Sequence, residues 1–131
     1  MHFSIVKEKK FIPTFQGNDK QPADSQITVT FKVPTVALKA KLADKSEAKA
    51  RADNKGNIDG IDIVLKRDDM AILDSMLVYI DKCEYEEDGK NVVINSAASL
   101  KAAPAFFDPL FQEIVERLRE ELENSTANEK N

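Results

Sequence analysis

Asp108-Pro109-Leu110-Phe111-Gln112-Glu113-Ile114-Val115-Glu116-Arg117-Leu118-Arg119-Glu120-Glu121-Leu122-Glu123 is the stretch on which the fold turns. Leu110, Ile114, Leu118 and Leu122 recur every fourth residue, with Phe111 and Val115 beside them, so one face of a helix is apolar and the other charged. Asp108 offers an N-cap side chain, and Pro109 falls at the first helical position, where its missing N–H costs nothing. Glu113–Arg117, Arg117–Glu121 and Arg119–Glu123 stand four apart, which suits weak ion pairs along an exposed helix surface. The reading is a C-terminal amphipathic helix over 109–123. Residues 124–131 carry no large apolar anchor and read as a disordered polar tail.

Upstream of that helix, Ser96 caps a short helix over 97–103, which Pro104 stops. Asp88-Gly89 lies between two strand-like runs and predicts a short β-hairpin near 83–94, because both residues tolerate positive φ. Met70, Leu73, Met76 or Leu77, and Ile80 follow Asp68-Asp69 at three-to-four spacing and predict an amphipathic helix over 69–82. Residues 61–65 read either as a short strand or as the lead-in to that helix, and 53–60 as a polar break with Gly56 and Gly60. From Thr35 to Ala52 the chain is rich in Ala and Lys and free of Gly and Pro, a helix whose large apolar side chains end at Leu42.

Ile27-Thr28-Val29-Thr30-Phe31-Lys32-Val33 changes the period. Strict alternation places Ile27, Val29, Phe31 and Val33 on one side of a half-buried strand, and Pro34 ends it. Two shorter apolar pieces, 3–6 and 11–15, are strand candidates separated by Lys7-Glu8-Lys9-Lys10, and 17–26 is a loop. The expected fold class is α+β and helix-dominated: an N-terminal β-strand or hairpin region, three to four helices, the Asp-Gly hairpin and the C-terminal helix. Residues 1–123 are expected to form a single globular domain, since 131 residues suit one core.

Composition removes several function classes. With one Cys, Cys83, and one His, His2, the chain has no disulfide framework, no cysteine-clustered metal site and no set for a histidine-dependent triad. Its longest apolar run, 76–80, is far short of the roughly 20 residues of a membrane span. Charges at 7–10 interrupt the start too early for a secretory apolar region, and a lone thiol suits a reducing cytoplasm. The net charge of −4 is unevenly spread: seven basic against three acidic residues from Lys32 to Lys55, and the reverse from Asp108 to Asn131.

Read as a calcium loop from Asp53, the 53–64 segment puts Lys55 third, Ile58 sixth and Val64 twelfth, where oxygen ligands and a glycine are needed. The acid groups Asp68/Asp69, Glu86/Glu87/Asp88 and Glu120/Glu121 occupy capping, turn and helix-surface positions, where solvent keeps carboxyls ordinary. Gly89-Lys90 lacks the rest of a phosphate loop, and Cys83 reads as buried filler rather than as a nucleophile. The expectation is a protein without catalytic, cofactor-binding or metal-binding residues. A basic helix over 35–51, with Lys39, Lys41, Lys45 and Lys49, leaves a nucleic-acid-binding or regulatory reading open, but it has a single Arg and no aromatic residue. Phe106-Phe107 with Leu110-Phe111 forms the densest aromatic cluster, either core or a partner-binding patch.

One resemblance gives these features a direction. Phe15-Gln16-Gly17-Asn18-Asp19-Lys20, then Pro22 and Gln26-Ile27-Thr28-Val29, then Pro34-Thr35 opening a helix, stand in this order. They are followed by the 69–82 segment, Asp88-Gly89-Lys90 and the acidic helix with Leu110, Ile114 and Val115. In that order and spacing the chain resembles the tail assembly chaperones of long-tailed bacteriophages and prophages. The resemblance implies a non-enzymatic protein of the bacterial host cytoplasm that binds the hydrophobic tape-measure protein through apolar helix surfaces. Such a protein helps recruit tail-tube subunits and is absent from the finished virion. It also implies the short product of a gene whose longer product arises by frameshifting, and homo-oligomers are compatible with it. Met70, Met76, Phe107, Phe111, Ile114 and Leu118 are the candidate contacts. The alternative within the same setting is a structural or minor tail subunit retained in the particle, which predicts self-assembly through a strand edge such as 27–33.

Overall fold

The alternation at 27–33 builds the central strand of a sheet in the computed structural model, which describes residues 1–42 and 69–128. This strand, β2 (Thr28–Lys32), buries Val29 and Phe31 completely and exposes Lys32. β1 (Glu8–Phe11) runs antiparallel beside it, with Glu8 opposite Lys32 and Phe11 opposite Val29. The expected N-terminal hairpin therefore exists, with its strand in the lysine-rich piece between the two apolar ones. Its connection holds two 3-10 turns, Phe15–Lys20 and Ala23–Ser25. Residues 36–42 are helical (α1) and place Leu42 in the core.

The helix expected over 69–82 is corrected at its second half. Helix α2 covers 69–76, and Leu77–Asp81 forms β3, the antiparallel neighbour of β2 on the side away from β1. Helical spacing misleads here for a physical reason. Thr30 pairs with Tyr79 and Phe31 with Leu77, so Val78 is an extra residue, a β-bulge. The bulge shifts the face of the strand by one residue, and Leu77 and Ile80 are both buried three residues apart. That interval imitates a helix turn and continues the true helical series Ile72, Leu73, Met76. β-branched and aromatic Val78, Tyr79 and Ile80, once offered a partner strand, satisfy the extended form.

The Asp-Gly hairpin forms as read: β4 (Glu84–Glu87) pairs with β5 (Lys90–Val93) as a separate two-stranded sheet. Asp88 and Gly89 both take positive φ, 52° and 77°, the two-residue turn whose twist matches the strands. Ser96 caps α3 (Ala97–Lys101) in a capping box with Ser99, and Pro104 follows. A 3-10 turn, Ala105–Phe107, then runs directly into α4 (Asp108–Asn128). Asp108 has helical φ and ψ of −56° and −43°, so it begins the helix rather than capping it from outside. The helical backbone also continues through 124–128, part of the segment read as a tail. The readings at 43–68, namely the second half of the basic helix, the 53–60 break, the calcium-loop test and the 61–65 strand or lead-in, lie outside the described residues, as do Asp68 and 129–131.

One core joins these elements into the helix-dominated α+β fold expected. Leu110, Ile114 and Leu118 of α4 are fully buried with Val29, Phe31 and Ile80 of the three-stranded sheet and with Leu73 and Met76 of α2. The charged face of α4 is only in part the solvated surface that its sequence suggested: Glu116, Glu120 and Glu123 are exposed, whereas Arg117, Arg119 and Glu121 find distant partners. Arg117 lies over the rings of Phe11 and Phe31, at 5.9 and 5.7 Å from their centroids. Arg119 pairs with Asp69 of α2, and Glu121 accepts a hydrogen bond from Lys9 of β1 at 2.9 Å. The long-range partners replace the i,i+4 pairs, and only Arg117–Glu120, at 3.7 Å, remains as an ion pair within the described helix.

Candidate protein-binding groove

The six candidate contact residues divide sharply. Met76, Ile114 and Leu118 are fully buried and Phe107 is buried, so these four hold the core together and lend no surface. Phe111 is half-buried, and Met70 alone is exposed, at 40%. The division follows from the amphipathic pattern itself. A single apolar helix stripe identifies which side chains leave water, but not whether the covering surface belongs to the same chain or to another.

The surface left over lies elsewhere. Phe106, the neighbour of buried Phe107, is 61% exposed. Its ring meets Phe15 edge-on at 5.7 Å and Phe107 edge-on at 5.1 Å, while Tyr85 lies 5.4 Å from Phe107. These rings border a groove of about 700 Å³. One side is lined by the 15–27 segment, the other by residues 82–86, and Pro104, Phe106 and Phe107 complete it.

Two side chains hold the 15–27 side in place. Asn18, in the Phe15–Lys20 turn, is buried and has every hydrogen-bonding atom used: Nδ2 donates to the Pro13 carbonyl at 2.8 Å and the Ile27 carbonyl at 3.0 Å, and Oδ1 accepts from the Ile27 N–H at 2.6 Å. Glu113 of α4 accepts from the Thr14 N–H at 2.6 Å, the Thr14 hydroxyl at 3.1 Å and the Phe15 N–H at 3.1 Å. A carboxylate thus caps the start of the 3-10 turn and pins it to the helix. Gln16 and Lys82, one on each side of the groove, take positive φ of 51° and 60°, a conformation that costs a side-chain-bearing residue about 1 kcal/mol or more. Lys82 donates from Nζ to the Asp24 carbonyl and so ties the two sides together. Neither Asn18 nor Glu113 was singled out as functional from the sequence; Gly17 marks the turn, but nothing local announces partners nine or about a hundred residues away.

Cys83 also lines this groove, yet the residue is only 3% exposed. Burial, with the Glu84 carboxylate adding to it, pushes its thiol up to about 11. The thiolate, which is the nucleophile, is therefore scarce at neutral pH, and Cys83 packs as an apolar side chain. Among the described residues no group of three or more His, Cys, Asp or Glu side chains is placed to hold a metal ion, and no helix is long and apolar enough to cross a membrane. Of the lysines in the basic-helix reading, Lys39 and Lys41 fall on α1, and Lys45 and Lys49 outside the described residues. The 27–33 edge invoked for a tail subunit is not an edge, since β2 lies between β1 and β3.

Comparison with protein-family models, with curated proteins and with solved structures found no match to this chain.

Proposed function

We propose that this protein is a non-enzymatic assembly chaperone that shields an apolar segment of another polypeptide in the aromatic groove between the 15–27 segment and β4. In the finer form of the reading it is a phage tail assembly chaperone of the bacterial host cytoplasm, its client the tape-measure protein, acting alongside tail-tube subunits. The observation that carries the reading is Phe106: a large aromatic side chain left uncovered beside a groove of about 700 Å³. Ile5 and Val36, also exposed, line a second groove together with Val6, Val33 and Pro34. The order of Phe15–Lys20, Asp88-Gly89-Lys90 and the acidic helix supports the phage setting. The contact set moves accordingly, from the buried helix stripe to Phe106, Phe15 and Tyr85.

Co-expression tests this directly. An aggregation-prone hydrophobic coiled-coil segment of a tape-measure protein is expected to reach higher soluble yield in the presence of this protein, and the gain is expected to shrink with Phe106→Ser. Unchanged yield with the wild-type protein overturns the reading. A full gain with Phe106→Ser moves the contact away from the groove.

A further inference from the structure

β4 presents an unpaired strand edge to the groove. In the β4–β5 hairpin Glu87 faces Lys90 across a two-residue turn, and farther along the Ile94 N–H donates to the Cys83 carbonyl at 2.9 Å. Hydrogen-bonded pairs alternate along an antiparallel ladder, so Glu87, Tyr85 and Cys83 turn their backbone groups toward β5. Glu84 and Glu86 turn theirs the other way. Among the described residues no other backbone group meets them. The groove is lined by β4 and not by β5, so these groups face into it.

We propose that this edge accepts an extended segment of the partner polypeptide as a third strand, and that the segment alternates apolar residues with lysine or arginine. The period of two dictates the pattern. On one face of the widened sheet stands Tyr85, packed near Phe107 with Phe106 beside it, and apolar partner side chains settle there. On the other face stand Glu84 and Glu86, both exposed, opposite the uncharged Val93 and Asn91. Cationic partner side chains pair with these carboxylates, whereas acidic ones are repelled. Glu84 is held upright by Asn91, whose Nδ2 donates to its carboxylate at 3.0 Å. Main-chain hydrogen bonds supply the binding, and the alternation supplies the choice of segment. The inference rests on the groove being the surface that holds the client, and it states the chemistry of what is held.

Two blocked hexapeptides separate the possibilities, one alternating lysine with phenylalanine and valine, the other glutamate with the same residues. Titrated against the full chain, the lysine peptide is expected to bind at least about tenfold more tightly than the glutamate peptide, the preference shrinking as salt rises. Glu86→Pro removes an outward N–H that the hairpin does not use, so it is expected to abolish binding while leaving the thermal melt close to wild type. If that variant does not fold, the double charge reversal Glu84→Lys with Glu86→Lys takes its place and is expected to reverse the preference. Equal binding of both peptides, lysine-peptide binding that survives Glu86→Pro in a folded protein, or an unchanged preference after the double charge reversal overturns the proposal. So does finding no peptide bound and the edge filled by a second copy, seen as a mass above the 14.6 kDa of one chain that Glu86→Pro returns to monomer. Client solubility that rises in co-expression without any peptide preference leaves the chaperone reading standing and removes this one alone.

Discussion

Asn18 carries more structural weight than its place in a polar loop suggests. Its amide closes three hydrogen bonds that bind Pro13 and Ile27 to the Phe15–Lys20 turn, at 5% exposure, so deletion strands buried polar groups as well as losing contacts. Asn18→Ala is expected to lower unfolding free energy by about 2–4 kcal/mol in urea titration. A loss below about 1 kcal/mol means that water replaces the amide and that this wall of the groove is not built as described. Cys83 gives a second residue-scale expectation, with a definite sign. Its folded thiol holds its proton to about 11 against 9.0 for an ordinary thiol, so between those values the unfolded chain loses the proton first. The thiol's contribution to stability is complete below pH 9 and fades as pH rises toward 11. The melting temperature is expected to fall more steeply across that window in wild type than in Cys83→Ala, and equal slopes remove the effect.

At the scale of elements, the turn and caps were legible and the helix-to-strand switch was not. Asp88-Gly89 and Ser96 act locally, through φ preferences and a side chain reaching its own backbone, and both formed where the sequence placed them. Gly89→Ala is expected to cost about 1–2 kcal/mol in chemical denaturation, although a Cβ there meets nothing within 4 Å, because φ of 77° strains any other residue. An effect near zero means that the hairpin relaxes into another turn. β3 shows the opposite case. The bulge at Val78 buries Leu77 and Ile80 at a helical interval, so periodicity alone could not separate strand from helix. The arbiter was β2, some fifty residues earlier, which supplies the pairing that an isolated segment lacks.

At the scale of the molecule, α4 is the hub on which separate pieces converge. Its apolar side fills the core, and its polar side fastens the start of the loop through Glu113, the sheet through Arg117 and Lys9–Glu121, and α2 through Arg119–Asp69. Glu113→Ala is expected to cost about 1–3 kcal/mol and to speed hydrogen exchange at the Thr14 and Phe15 amides first. Uniform acceleration across the chain instead means that the loop and the helix open as one unit. For the candidate contacts, the sequence did not fix the side of the boundary: Ile114 and Phe107 are inside, while Phe106, one residue from Phe107, is outside. The difference comes from where Phe15 and Tyr85 arrive, across roughly ninety and twenty residues of chain.

The sequence by itself determined what local chemistry can determine: the apolar stripe of 110–122, the alternation of 27–33, the positive-φ turn at 88–89 and the capped start of 97–101. Those preferences act over a few residues and need no partner. Tertiary structure alone decided which strands are edges, which charges of α4 find distant partners and which of the adjacent rings Phe106 and Phe107 is left uncovered. Each of those depends on surfaces brought together from far apart in the chain, where burial and pairing outweigh the small energies of local propensity.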